Sequence, residues 1–462
     1  MLFPTIEFIF AFAPISIIGF WLIRSDRLRR AWLVLASYFF YGYWDPRFLP
    51  LLIITSLINY YSALFINRSD NPAIRKKWLF IALTGNLALL GFFKYFMLLM
   101  KTVNAISGWI GAGAVFPAWN IILPIGISFF TFQAMSYTID VYRGKTDPTD
   151  DIVEFSAYVA LFPQLIAGPI VRYIWIRDRI RNLKARLTIN YLNLGIFFFT
   201  LGLMKKVLIA DRIAYYSDPL FANYKSLAPI EAWLAILGFS LQLYFDFAGY
   251  SLMAIGLGYL LGFEFPMNFN SPYKAVSISD FWRRWHITLS TWLRDYLYIP
   301  LGGRDNRMVA LAATMLLGGL WHGAEWTFVA WGAYHAILLE LHHHLKGFRW
   351  IPRNPVLAQI GTFLLVTIGW VFFKPPTFEA SWTILKKMFD IPGLFTPATI
   401  QLPLVALILV GGVWAMLAPN ACELVREKNI QPTRSWAVAL GLLGAVCILL
   451  CSESGPFLYF QF

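Results

Sequence analysis

Apolar runs near the roughly 20 residues needed to cross a bilayer recur along most of the chain, separated by short basic or broken segments. The first covers 3–23 and is followed by Arg24, Arg27, Arg29 and Arg30. Basic loops favour the cytoplasmic side, so the pattern predicts an outside N-terminus and a retained first helix. Residues 31–44 run back out, the turn Trp44-Asp45-Pro46-Arg47 reverses the chain, and 48–66 return to Arg68, Arg75, Lys76 and Lys77. Further runs lie at 78–100, 121–139, 190–207, 229–245, 248–263, 308–320, 325–341, 355–373, 401–418 and 434–451. Lys94, near the end of its run, is expected to snorkel to an interface. Lys205 and Lys206 read as a cytoplasmic helix end.

Four segments depart from this rhythm. Residues 140–154 form a charged loop, and 177–186 are basic and read as cytoplasmic. In 155–171, Phe162-Pro163-Gln164 and Gly168-Pro169 break the apolar run twice. That predicts a re-entrant segment, tolerated at membrane depth only where protein or a cavity covers its backbone. Residues 266–304 are too polar to span and dense in Trp, Arg, Pro and Gly. They read as amphipathic or re-entrant helices at an interface. Residues 374–400 read as a surface segment. The fold class is therefore all-α: a polytopic membrane bundle of about ten to twelve transmembrane helices plus re-entrant or interfacial ones.

Composition strengthens the membrane reading. Hydrophobic residues make up 58% of the 462 and charged residues 14%, against about a quarter charged in soluble domains. The net charge of +13 sits in short loops between apolar runs, which argues for topology and membrane lipid rather than nucleic acid. The three cysteines, Cys422, Cys447 and Cys451, form no metal spacing and no disulfide framework.

Candidate chemistry centres on the six histidines. His322 lies in Gly318-Gly319-Leu320-Trp321-His322-Gly323, between two apolar runs. An ionisable group at that depth usually faces a cavity or the bundle interior, and imidazole is well suited to take a proton from a hydroxyl near neutral pH. A structural histidine bonded to a neighbouring helix is the alternative. His286 lies in a run from 280 to 290 that mixes charge and indole. There Arg283 and Arg284 suit either ligand phosphates or lipid headgroups. His342, His343 and His344 read as a solvated helix end rather than a metal site, because consecutive positions point three ways around a helix. His335 reads as a buried helix–helix contact. Asp246, between two runs, needs a partner: it could orient a histidine, pair with an arginine or form a plain ion pair.

In the order of its motifs, residues 1–345, the chain resembles the membrane-bound O-acyltransferases, in particular the bacterial branch that contains alginate O-acetyltransferase. The carriers are Leu123-Pro124-Ile125-Gly126-Ile127-Ser128-Phe129-Phe130, Phe162-Pro163-Gln164-Leu165-Ile166-Ala167-Gly168-Pro169, Asp246-Phe247-Ala248-Gly249-Tyr250, the run 280–290, Trp292-Leu293-Arg294-Asp295-Tyr296-Leu297-Tyr298-Ile299-Pro300-Leu301-Gly302-Gly303 and Trp321-His322-Gly323. The resemblance implies a helical core around a tunnel joining the two membrane faces, with His322 catalytic and His286 as the second catalytic position. It implies one membrane domain, 1–462, with N-terminal helices (1–120), an acyltransferase core (121–345) and C-terminal helices (346–462).

It also implies a multi-pass protein of the bacterial inner membrane with no permanently bound cofactor. The donor is acetyl-CoA, entering from the cytoplasm, and Arg283, Arg284, Trp285 and Arg294 are candidates to bind it. The acceptor is a hydroxyl of a polysaccharide such as alginate, or a periplasmic or extracellular partner protein. Peptidoglycan O-acetylation and D-alanyl transfer to teichoic acid are the alternatives within the family. A transporter also uses broken helices and midplane polar groups, but no related halves are evident in the sequence.

Overall fold

The computed structural model describes residues 1–117, 119–183, 186–345, 354–426, 433–451, 455, 457 and 458. Every regular element among them is helical. Four helices, Pro46–Asn67, Pro72–Trp109, Ile189–Ala222 and Pro229–Leu260, are long and apolar enough to cross a membrane. Shorter apolar helices include Phe8–Leu22, Pro355–Trp370, Leu402–Leu417 and Arg434–Leu450. The packing divides into two compact units, Met1–Ile196 with Ala254–Pro266, and Phe197–Met253 with Met267–Phe462.

In the first unit, buried amides join neighbouring helices. Asn59 donates to the Asn86 side chain at 3.1 Å, and the Thr138 hydroxyl donates to Asn59 at 2.8 Å. Interhelical hydrogen bonds of this kind hold membrane helices together where lipid supplies no hydrophobic drive. The expected break is present: the Ile152–Ala160 helix stops at Leu161 and a single turn, Phe162–Leu165, follows. Residues 161–171 are all buried. The Phe162 N–H donates to the Ser37 hydroxyl at 3.1 Å, and the Gln164 and Gln133 amides both donate to the Tyr158 carbonyl. Protein thus covers the irregular backbone, as membrane depth requires.

Lys94 departs from expectation. Its side chain does not snorkel but is buried, with Nζ 3.3 Å from the Ser128 hydroxyl. Lys94 lies within a π-helical segment, Gly91–Tyr95, in the interior of the Pro72–Trp109 helix. Such bulges re-aim side chains.

The second unit carries two further departures. The runs 229–245 and 248–263 are not separate spans, because one 32-residue helix, Pro229–Leu260, crosses the Asp246 position without interruption. Lys205 and Lys206 do not mark a helix end either. Both are buried in a π-helical segment, Lys205–Ala210, in the middle of Ile189–Ala222. The two observations share one cause. The Lys206 ammonium lies 2.6 Å from Asp246 Oδ1 and 2.8 Å from Asp211 Oδ1. Paired charges can stay inside helices where single ones would force an exit to water. Close backbone approach makes the pairing feasible. A β-carbon on Gly202 would stand 2.5 Å from the Gly249 carbonyl, and one on Gly249 would stand 2.7 Å from that of Gly202. Only glycine at both positions permits this crossing.

A second glycine crossing places His322. The Arg307–His322 and Trp326–Leu345 helices form a hairpin. A β-carbon on Gly319 would overlap the Phe328 carbonyl, and one on Gly332 would overlap that of Met315. The hairpin therefore closes tightly just before its turn, and His322 is the last residue of its first helix.

Candidate active site

His322 is buried, 3% exposed, among the rings of Trp321, Trp331 and Phe373, whose centroids lie 5.1 to 5.4 Å from its own. His286 comes from a separate segment, at the junction of two short helices, Ile278–Arg284 and Ile287–Leu293. The fold brings the two imidazoles together with centroids 6.1 Å apart and planes at 54°. Phe247 packs edge-on against His286 at 4.8 Å.

The backbone at His286 is unusual. Its φ of 41° and ψ of 55° are left-handed, a conformation uncommon for residues other than glycine, although His, like Asn and Asp, enters it more often than most. Such strain persists only where the surroundings over-determine it, and it concentrates at functional sites. Asn268 supplies much of that restraint. Its carbonyl accepts from the Ile287 N–H at 2.9 Å, and its side-chain oxygen accepts from the Thr288 hydroxyl at 2.9 Å. Its amide donates in turn to the Ser251 hydroxyl at 3.1 Å. Residues 266–304 therefore do not all lie on a surface as amphipathic helices do. Trp285 is 1% exposed and His286 is fully buried. The chain folds inward at this point because helices of only seven residues cannot shield their own polar ends and take partners from the unit's interior.

A cavity of about 220 Å³ opens at His322. Its walls are mainly apolar, Trp282 and Trp331 among them, with a few polar groups, Ser290, Thr314, Arg294 and Tyr298. A largely apolar cavity with few convergent polar groups is the usual form of a small-molecule site. Sequence reasoning missed Trp331, although its spacing from His335 places both on one helix face. Its buried indole N–H has no acceptor among the described residues. The Trp282 indole donates to His335 Nδ1 at 3.4 Å, so His335 bridges two helices and stands behind the cavity wall.

The other positions separate. Arg294 lines the cavity from a π-helical segment, Arg294–Tyr298, and pairs with Asp295 at 2.6 Å. Arg283 is exposed. Arg284 is tied to Asp280 at 3.0 Å and to the Asn270 carbonyl at 3.3 Å. Trp285 stacks within an aromatic cluster against Phe281 and Trp370. His344 pairs with Glu340 at 3.0 Å. Asp246 takes the Lys206 ammonium and not an arginine as its ion-pair partner.

One of the two neighbouring buried imidazoles, His322, lines a cavity. A family model described as MBOAT, membrane-bound O-acyltransferase family, matches residues 147–374. A peptidoglycan O-acetyltransferase of Helicobacter pylori is 40% identical over 433 residues, covering 85% of this chain and 81% of that protein. The chain belongs to the membrane-bound O-acyltransferase family. A probable alginate O-acetylase, AlgI, of Pseudomonas aeruginosa is 43% identical, covering 84% of this chain and 75% of its own. A teichoic acid D-alanyltransferase of Bacillus subtilis is 30% identical over 57% of this chain and 71% of its own. As a family member the chain is a membrane enzyme that transfers acyl groups to hydroxyls. The matched region contains both helix crossings, both imidazoles and the cavity at His322.

Proposed function

We propose that this enzyme moves an acetyl group from acetyl-CoA, presented at the cytoplasmic face of a bacterial inner membrane, to a hydroxyl of an exported polysaccharide such as alginate. A periplasmic or extracellular protein can stand as an intermediate acceptor. The observation that carries the reading is His322 at a cavity with a second buried imidazole, His286, 6.1 Å away, in a chain more than 40% identical to probable alginate O-acetylases.

A hydroxyl is a poor nucleophile until its proton is removed. His322 takes that proton as the oxygen attacks the thioester carbonyl. The C–O bond forms, the C–S bond breaks, and the imidazolium returns the proton to the departing thiolate. His286 orients the acyl group or supports the oxyanion, the kind of stabilisation that fixed donors in a water-poor site provide well. The Trp331 indole N–H is a further donor available at the same cavity. None of the three cysteines lies in the matched motifs, so direct transfer without an enzyme-bound acyl group is the simplest path.

Membranes supplied with acetyl-CoA labelled in the acetyl group test the reading. Label is expected in ester linkage to a polysaccharide, released by mild base. Label on peptidoglycan would favour the activity named for the Helicobacter relative, the second reading, which its 81% coverage supports. No transfer to any hydroxyl acceptor would overturn both.

The cofactor-binding assignments make a separate prediction. Arg294 lines the cavity and Arg283 and Arg284 do not, although Arg294 is itself exposed and paired with Asp295. Arg294→Gln is expected to raise the KM for acetyl-CoA about tenfold, the loss of one charge-assisted contact of about 1.5 kcal/mol. Arg283→Gln with Arg284→Gln tests the remaining phosphate contacts. An unchanged KM in both variants removes all three arginines from the donor site.

A further inference from the structure

Asp246 and the buried ammonium beside it hold two helices together, yet a buried ion cluster is a weak source of stability compared with apolar packing. The cluster also does something else. The second oxygen of Asp246, Oδ2, accepts the backbone N–H of Leu458 at 2.9 Å, from 212 positions away in the sequence. Gly455 lies over the other carboxylate, where an added β-carbon would stand 3.5 Å from Asp211 Oδ1. Leu458 is thus moored on Asp246, and Gly455 lies beside Asp211, the two carboxylates that Lys206 holds together.

The mooring sets the position of one ring. Phe457 is 2% exposed and stacks on Tyr250, with centroids 4.6 Å apart and planes at 27°. It also meets Phe247 at 5.9 Å and 63°. Phe247 and Tyr250 stand on neighbouring turns of one helix face, so Phe457 braces both. Phe247 in turn packs edge-on against His286, which also lies beside His322 and Trp321. His286 holds a left-handed backbone that its surroundings must enforce. Removing the Phe457 ring would withdraw the support it gives Phe247 and, through Phe247, the support of His286.

We infer that Phe457 is a positioning residue for His286, acting through Phe247 and held in register by the bond from Leu458 to Asp246. This rests on the reading of His286 as part of the reacting site. A region outside the motif order therefore completes the catalytic unit. Loss of the brace lets the His286 ring move, and a shift of about 1 Å in a catalytic group can cost up to about 100-fold in rate. It leaves the donor's binding surface at the cavity unchanged.

The test is a set of variants in purified full-length enzyme, assayed for acetyl transfer. Phe457→Ala is expected to lower kcat about tenfold or more with the KM for acetyl-CoA within about twofold. Phe457→Met, which refills much of the space with a flexible apolar chain, is expected to restore most of the rate. In a His286→Gln background, Phe457→Ala is expected to change the residual kcat by less than about twofold, since residues acting through one another are not additive. The inference fails if Phe457→Ala keeps kcat within about twofold of the parent, or if the two losses multiply in the double variant. Should Phe457→Ala not yield folded enzyme, Phe457→Val, which also removes the ring but leaves a smaller void, takes its place in the same cycle with the same expected outcomes, and multiplied losses there overturn the inference equally. Full activity in His286→Gln alone is a different outcome: it overturns the catalytic reading of His286, and with it the target of the brace.

Discussion

His322→Ala is expected to reduce acetyl transfer by about 100-fold or more, the usual contribution of a positioned general base. The proton of an acceptor hydroxyl must leave as the C–O bond forms, and His322 is the imidazole that both lines the cavity and stands 6.1 Å from a second one. The change also removes a ring packed against Trp321, Trp331 and Phe373, so a rate loss could reflect collapse of that packing. His322→Gln keeps most of the volume and a polar head but cannot act as a base of comparable strength. Both variants are therefore expected to lose activity alike, while only alanine lowers heat resistance measurably. Normal transfer rates in His322→Gln, measured by ester-linked label per mole of folded enzyme, would falsify the base assignment.

Lys206→Met should be the most destabilising single change on the polar side of the core. The ammonium lies between two carboxylates, and the residue as a whole is 3% exposed. Removing one member of a buried pair typically costs about 3–5 kcal/mol, because the remaining charge is left uncompensated where water cannot reach it. Here two carboxylates would remain. The expected reading is a large drop in the temperature at which the detergent-solubilised enzyme survives heating, monitored by size-exclusion chromatography. Adding Asp246→Asn to Lys206→Met should recover part of the loss, since a neutral amide costs less to bury than an unpaired carboxylate. A Lys206→Met variant as heat-resistant as the parent would show that the cluster contributes nothing to the fold.

These two predictions concern residues that differ sharply in how far local pattern reveals them. His322 is legible because its flanking glycines and apolar surroundings mark an ionisable group kept inside at some cost. The glycines act at a specific place, since Gly319 and Gly332 let the hairpin close where any side chain would collide with backbone. Lys206 reads locally as a helix end, and that reading is wrong. A lone cationic pair in an apolar run does predict an exit to water, and although Asp211 follows close by in the same helix, nothing local to Lys206 reveals its partner at Asp246. The same blindness splits Pro229–Leu260 into two spans, since an isolated carboxylate mid-helix looks like a loop until its counter-ion is seen.

By itself the sequence determined the helical class, the membrane setting and the break at 161–165, and it singled out the two histidines proposed for the site. All of these follow from local pattern: the period and length of apolar runs, proline and glycine as punctuation, and ionisable groups in unfavourable places. Only the tertiary structure decided which ionisable groups are paired, which way the 266–304 segment turns, and what stands behind His286. Those outcomes depend on partners far apart in the chain, Lys206 with Asp246 and Asp246 with Leu458. Charge pairing and ring packing act through space, and a one-dimensional pattern carries no record of that distance.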